Sequence, residues 1–469
     1  MSDSIEYRFT PNQNVYQNGV VTAQELDKIT AKAEFVLNDL HSDIQIGFLL
    51  KELIGQVFSE NEVSSDKVLK RRPSLLRLFL VALFQVVKAK NKASEDVKLL
   101  LIRNSNKYHF KSLINPIHDR FQAKSDLMVH SDKSFNGITQ KRLYYREVFK
   151  SLYISWRVSK SANETLRSMG FLIPESEIRF ELFKNLMGYY SALDLCERRG
   201  YKMILVDTDR GNSLATSFCL AASKLGIKSA TLQHGAIDMV IGYYPVIADE
   251  MWCWGDFQKR LLVVAGLEES RIQNIGNPVA QRKPFKEKMS MIIGFGLSGG
   301  HVIDIEKNII LWLLEQESLK DFEILIKIRP SQAVQPWMLS NPRLGVYETE
   351  QRTDANSEFF KQVDLLIVTI SSIGPEAVAS GVPLWVYKIS SIDLKLDELF
   401  VRTGLFPNIS DPLELEREST SLKSDGSKYL KELWSTQSNF IMNDYYCAVG
   451  NMAVENICEG IQQEIRDSN

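Results

Sequence analysis

Two clusters of polar residues in the middle of the chain have the types and spacing that group transfer needs, and each follows a short apolar run. Asp207-Thr208-Asp209-Arg210 comes after YKMILV, and Gln233-His234-Gly235 comes after KSATL. His234 is one of only six histidines and stands between Gln and Gly ahead of a long irregular stretch, a poor setting for a packing role. An imidazole that titrates near neutrality suits a general base or, once protonated, a phosphate contact. Asp207 and Asp209 can deprotonate an acceptor hydroxyl or cap the helix that follows, and the residues leave both readings open. Arg210 and Gln233 are expected beside them as acceptor-side contacts.

Three further clusters lie in the second half. GFGLSGGH supplies Gly294, Gly296, Ser298, Gly299 and Gly300; IKIRPS supplies Lys327, Arg329 and Ser331; TISSIGPEA supplies Thr369, Ser371, Ser372, Gly374 and Glu376. The glycine loop has the GxGxxG spacing of a dinucleotide site. The acidic residue such a site needs roughly 20 residues later would be Asp321 or Glu323, which precede the next strand instead of ending it. A dinucleotide is therefore rejected and a phosphate contact retained. Ser371 or Ser372 can cap a helix begun by Pro375, with Glu376 in its first turn, and a capped helix start is also an anion site.

The elements that must position these residues alternate. YKMILVD, KSATL and ADEMWCWG read as strands, separated by a helix from about Asn212 or Ser213 to Gly226 and followed by a helix over Asp256 to Ala265. A polar stretch around Pro278 and Pro284 interrupts the pattern and is placed as a linker. A second alternation begins at MIIGFG and runs through DFEILIKI, DLLIVT and VPLWVYK. Strand, helix, strand with short connections implies parallel sheets covered by helices, and ligands bind such sheets at the carboxyl ends of their strands. The predicted class is α/β, with two Rossmann-like, doubly wound parallel sheets facing a cleft. The expected divisions are 1–280, with a helical N-terminal extension; 281–427; and C-terminal helices over 428–469, free to pack on either domain.

LQHGAI followed by YYPVIADEMWCWGDFQKRLL and GLEESRIQNIGNP resembles the middle of bacterial surface-polysaccharide glycosyltransferases of the GT-B fold. That group includes the Kdo transferases and, more distantly, polysialyltransferases and CDP-glycerol glycerophosphotransferases. IKIRPS resembles its "HP" motif and TISSIGPEAVASGVPLWVY its serine-pair motif, so the resemblance covers Tyr201 to Lys388. It implies a nucleotide-sugar donor as substrate, with no separate cofactor, held by the second domain. Ser371 and Ser372 would touch the donor phosphate, Glu376 the ribose or base, and His234 the reacting centre. Gly296, Ser298, Gly299, Lys327 and Arg329 complete the expected donor side. Arg329 stands where the family has histidine; a guanidinium still holds a phosphate but supplies no acid near neutral pH. The acceptor implied is a saccharide or a lipid-linked saccharide. A UDP-sugar 2-epimerase shares the fold, the GNP turn and a serine/glycine-rich segment before Glu-Ala but needs several carboxylates and a His around the sugar; the serine pair and QHG favour the transferase. A non-catalytic scaffold of a polysaccharide assembly complex is the third reading, and Arg329 is what invites it.

Composition sets the outer limits. Lys+Arg 56 against Asp+Glu 58 gives a net charge of −2, so nothing draws the whole chain to nucleic acid. The five cysteines show no CxxC or Cys/His spacing, which argues against structural zinc and predicts no metal site; Asp207-Thr208-Asp209 has the form of a DxD motif but lies in the wrong domain for a donor-bound ion. The N-terminus lacks an apolar signal core, so a cytoplasmic location is expected. KVLKRRPSLLRLFLVALFQVVKAKNK, from Lys67, contains an apolar run of about sixteen residues, short of the roughly 20 a spanning helix needs. It reads as a buried helix; the alternative lays it on the inner membrane face with Lys70, Arg71 and Arg72 toward anionic headgroups.

Overall fold

The computed structural model describes residues 97–103, 108–129, 145–168, 174–209, 213–235, 243, 246–298, 303–328, 332–348, 355–369, 373–389 and 403–468. The basic-flanked apolar run after Lys67 lies outside them.

The first sheet has six parallel strands: β1 (Leu99–Arg103), β2 (Ser125–Val129), β3 (Met203–Val206), β4 (Lys228–Leu232), β5 (Glu250–Cys253) and β6 (Ile272–Asn274), in the order β2-β1-β3-β4-β5-β6. The register Leu101 to Leu205 and Leu205 to Ala230 keeps its centre wholly apolar. Strand alternation divides β1 between two cores. Leu100 and Ile102 meet α2 (Tyr145–Ser168), α3 (Glu175–Arg199) and α4 (Ser213–Leu225), whereas Leu99 and Leu101 meet α1 (Tyr108–Phe121) on the other face. Helix α4 stops at Gly226, whose φ of +66° is the left-handed C-cap expected from the sequence. Helix α5 (Asp256–Val264) follows β5.

The second sheet has five parallel strands: β7 (Ile292–Gly296), β8 (Glu323–Ile328), β9 (Leu344–Glu348), β10 (Leu365–Val368) and β11 (Leu384–Val386), ordered β11-β10-β7-β8-β9. Helices α6 (Ile303–Glu315), α9 (Pro412–Ser424) and α10 (Gly426–Phe440) cover one face, and α7 (Ala355–Gln362) and α8 (Ile373–Ala379) the other. Two doubly wound parallel sheets are thus the fold class, as the alternation predicted. Strand β9 went unread because Leu344-Gly345-Val346-Tyr347-Glu348 is short, glycine-interrupted and only partly buried at the sheet edge. Helix α8 begins at Ile373, two residues ahead of Pro375, so Pro375 lies inside its first turn and does not open it.

Past α10 the chain makes a π-helical turn at Ile441–Tyr445 and returns to the first sheet. Helix α11 (Asn451–Asp467) puts Ile457 and Ile461 into the core shared by α1 and β1, settling which sheet the C-terminal helix serves. The crossing is held by the Asn277 N–H on the Ala448 carbonyl (2.8 Å) and the Gly450 N–H on the Asn277 carbonyl (3.0 Å). Gly276 sits at φ +90°, where a Cβ would run into the Ala448 carbonyl, so the GNP turn is shaped by this chain crossing. Trp254, Phe257, Phe440, Tyr445 and Tyr446 pack ring to ring around it, with centroids 5.1–6.3 Å apart.

Candidate functional site

In each sheet the strand order reverses direction at one point, and the carboxyl edge there is where helices diverge and leave room for a ligand. In the first sheet that point lies between β1 and β3, and in the second between β7 and β10. Arg103, Asp207 and His234 collect at the first; Ser298, Glu306 and Thr369 collect at the second.

At the first edge His234 follows β4, with its ring between Phe110 of α1 (centroids 5.6 Å apart) and Tyr243 (5.1 Å). Burial lowers its pKa to about 4, opposed by a hydrogen bond to the Asp207 backbone. The imidazole is therefore neutral at pH 7. Its Nδ1 is buried with no hydrogen-bond partner. Tyr243 is bonded twice to Gly235, its hydroxyl accepting from the Gly235 N–H (2.8 Å) and donating to the Gly235 carbonyl (2.9 Å).

Beneath the ring, Asp207 is fully buried and Arg103 nearly so. Burial lowers the Arg103 pKa, and the Asp207 carboxylate opposes that shift, so the two charges share one low-dielectric site. Arg103 also donates to Asn115 of α1. It was missed in the sequence, although a lone cation closing the run VKLLLI was the available signal.

Two residues expected to do chemistry here are committed elsewhere. Asp209 accepts from the Ile247 and Ala248 N–H groups (2.5 and 3.0 Å), and its own carbonyl accepts from Thr216. Gln233 is 1% exposed; it takes the Trp254 N–H on Oε1 (2.9 Å) and donates to the Gly235 carbonyl (2.8 Å), stitching β4 to β5. Of the pair Asp207 and Asp209, only Asp207 adjoins the His234 ring. Arg210 lies outside the described residues.

At the second edge a buried carboxylate that sequence reasoning passed over organises the loops. Glu306, in the first turn of α6, accepts the Ser298 N–H at 2.9 and 3.0 Å and the Thr369 hydroxyl at 2.7 Å, while the Ser298 and Thr369 hydroxyls lie 3.1 Å apart. Ser298 is 4% exposed, so its side chain ties the two loops together. Gly296 is accounted for by packing, because a Cβ there would lie 3.0 Å from Ile373 at the start of α8. Gly299, Arg329, Ser371 and Ser372 lie outside the described residues; in sequence they follow β7, β8 and β10 directly.

Glu376, in the first turn of α8, accepts from Asn356 at 2.7 Å. Burial raises its pKa, against the hydrogen bond from Asn356 and the nearby charge of Lys327 on β8. Only part of its surface meets solvent, and its carboxyl group is enclosed by protein. Tyr446 joins the two edges. It packs 5.6 Å from Trp254, at the end of β5, and its pKa is raised well above the usual range by burial, by Tyr445 and by the Glu376 carboxylate. The carboxyl edges of both sheets therefore converge on the aromatic crossing.

Among the described residues no three His, Cys, Asp or Glu side chains are grouped to hold a metal ion, and no helix is long and apolar enough to cross a membrane. Cys219 and Cys253 are buried free thiols.

No protein-family model and no curated protein matches the sequence. Among solved structures, the chain is similar to UDP-GlcNAc 2-epimerase from Neisseria meningitidis bound to UDP-GlcNAc, at 14% identity over 78% of this chain and 100% of that one, with a TM-score of 0.49. It is similar to Acinetobacter baumannii MurG at 14% identity over 78% and 99%, with a TM-score of 0.46. It is also similar to Anabaena Alr3699/HepE in complex with UDP and glucose, at 9% identity over 78% and 99%, with a TM-score of 0.46. Likenesses of this size choose no activity, and the fold class rests on the two strand orders themselves.

Proposed function

We propose that this chain is a glycosyltransferase that moves a sugar from a nucleotide-sugar donor to a growing bacterial surface polysaccharide or lipopolysaccharide, acting on the cytoplasmic side. A CMP-linked donor such as CMP-Kdo is favoured by the motifs, with a UDP-linked donor as the next choice. The observation that carries the reading is the gathering of Arg103, Asp207 and His234 at the strand-order reversal of one sheet and of Ser298, Glu306 and Thr369 at that of the other. His234 is then the group that takes a proton from an acceptor hydroxyl.

On this reading the donor nucleotide lies at the β7 and β10 ends. Lys327, Arg329, the Gly299 backbone and the Ser371 and Ser372 hydroxyls neutralise the leaving phosphate, so no divalent ion is required. Glu376 takes the ribose or base. The acceptor lies at the β1, β3 and β4 ends, where Asp207 and Arg103 set the field around His234. An epimerase would use several carboxylates around the sugar. The commitment of Asp209 to two backbone amides leaves the first edge with fewer, which favours transfer.

The test is thermal stabilisation of the whole chain by CMP-, UDP-, GDP- and CDP-linked donors, followed by nucleotide release with acceptor extracts. Release that survives EDTA and disappears in His234→Ala or Ser372→Ala supports the assignment. Full activity in both variants refutes the site, and silence across the panel leaves the scaffold reading standing instead.

A further inference from the structure

Helix α2 carries a feature that sugar transfer does not use. Phe149, Tyr153 and Trp156 are 56%, 55% and 59% exposed, whereas Val148, Ile154, Val158 and Ala162 on its other side are buried. Spacings of four and three residues set the three rings on one face. That face continues through Lys160 and Arg167, with Lys150 and Arg157 along its margin. From Phe149 to Arg167 the strip is about 27 Å long.

Its charge is one-sided. Among the described exposed residues of α2 there are four cations and a single carboxylate, Glu164, in a chain whose net charge is −2. The neighbouring helix α3 handles its cations differently: Arg179, Lys184 and Arg198 are all ion-paired with Glu175, Glu181 and Asp194. Two of the four α2 cations meet rings instead, with Lys150 4.8 Å from the Tyr190 centroid and Arg157 6.0 Å from that of Tyr153.

We propose that this face of α2 docks the protein on an anionic phospholipid bilayer. Trp, Tyr and Phe bury their rings at the headgroup boundary, where the polar atoms of Trp and Tyr keep water or headgroup partners, and cations beside them are drawn to anionic headgroups. The charge excess selects this occupant over a second copy of the chain, because two such faces would repel each other. The proposal stands whether or not the chain transfers a sugar.

The test is co-sedimentation of the whole chain with phosphatidylglycerol/phosphatidylcholine vesicles and with phosphatidylcholine alone. Binding is expected to the anionic vesicles only and to weaken as salt rises from about 0.1 to 0.5 M, where screening shortens the reach of the cations. The triple variant Phe149→Ser, Tyr153→Ser, Trp156→Ser should lower the partition coefficient at least about tenfold with an unchanged melting temperature. The variant Lys160→Glu, Arg167→Glu, which reverses two exposed charges of the strip and leaves its ring contacts in place, should do the same. Any of four results overturns the proposal: no sedimentation of the native chain, equal binding to neutral vesicles, undiminished binding by both variants, or a concentration-dependent dimer that the ring variant abolishes.

Discussion

Replacing Glu306 by Gln tests whether the second sheet's loops are organised by one buried charge. Glu306 is 0% exposed and receives three bonds, two from the Ser298 N–H and one from Thr369. Glutamine keeps the shape but has one acceptor oxygen; its NH2 would face a donor, the Ser298 N–H or the Thr369 hydroxyl. Hydrogen bonds to a charged group are worth about 1.5–3 kcal/mol, and a buried donor left unsatisfied costs about 1–3 kcal/mol. A net loss of about 2–3 kcal/mol is expected, a fall of roughly 4–10 °C for a unit of this size. Because Ser298 and Thr369 begin the loops on either side of the reversal point, KM for the donor should rise more than kcat falls. Melting curves and donor titrations measure both. A variant that melts within about 1 °C of the native chain and binds donor normally refutes the idea that this carboxylate sets the loops.

Four other outcomes follow from the same structure. Gly276→Ala should destabilise by several kcal/mol and expose the crossing to limited proteolysis, since φ +90° and the Ala448 carbonyl leave no room for a Cβ. Asp364→Ala should cost about 2–4 kcal/mol by thermal unfolding, because that buried carboxylate accepts from Lys286 and from the Ser290 and Ile292 N–H groups at the mouth of β7. Asp209→Ala should lower stability before it lowers turnover per folded molecule, whereas Asp207→Asn should do the reverse; activity normalised to folded protein separates them. Burial depresses the His234 pKa to about 4, so between about pH 6.5 and 4 the unfolded chain binds the extra proton and stability falls with pH, by up to about 3 kcal/mol from this group. His234→Asn should remove that part of the acid loss, read as the difference between the two pH profiles of melting temperature.

The strand ends carrying His234, Asp207 and the serine pair were legible because buried parallel strands are unbroken apolar runs, and polar residues at their ends stand out. What escaped were residues whose role depends on a distant partner. Gln233 and Asp209 look like site residues by position, yet they serve Trp254 and the Ile247–Ala248 amides, bonds made across 21 and 38 or more positions of chain. Glu306, which sequence reasoning passed over, is the buried tie between strand ends 71 residues apart.

Periodicity and the placement of glycine and proline therefore determined by themselves that this chain forms two helix-covered parallel sheets with polar carboxyl edges. Tertiary structure alone decided that α11 returns to the first sheet, that the GNP turn is the seat of that crossing, and that Asp209, of the pair Asp207 and Asp209, is already bonded to two backbone amides. The reason is physical. Backbone periodicity is local and is written in neighbouring residues, whereas the partner that satisfies a buried polar group is chosen only when remote segments pack, and any donor of the right reach would have served.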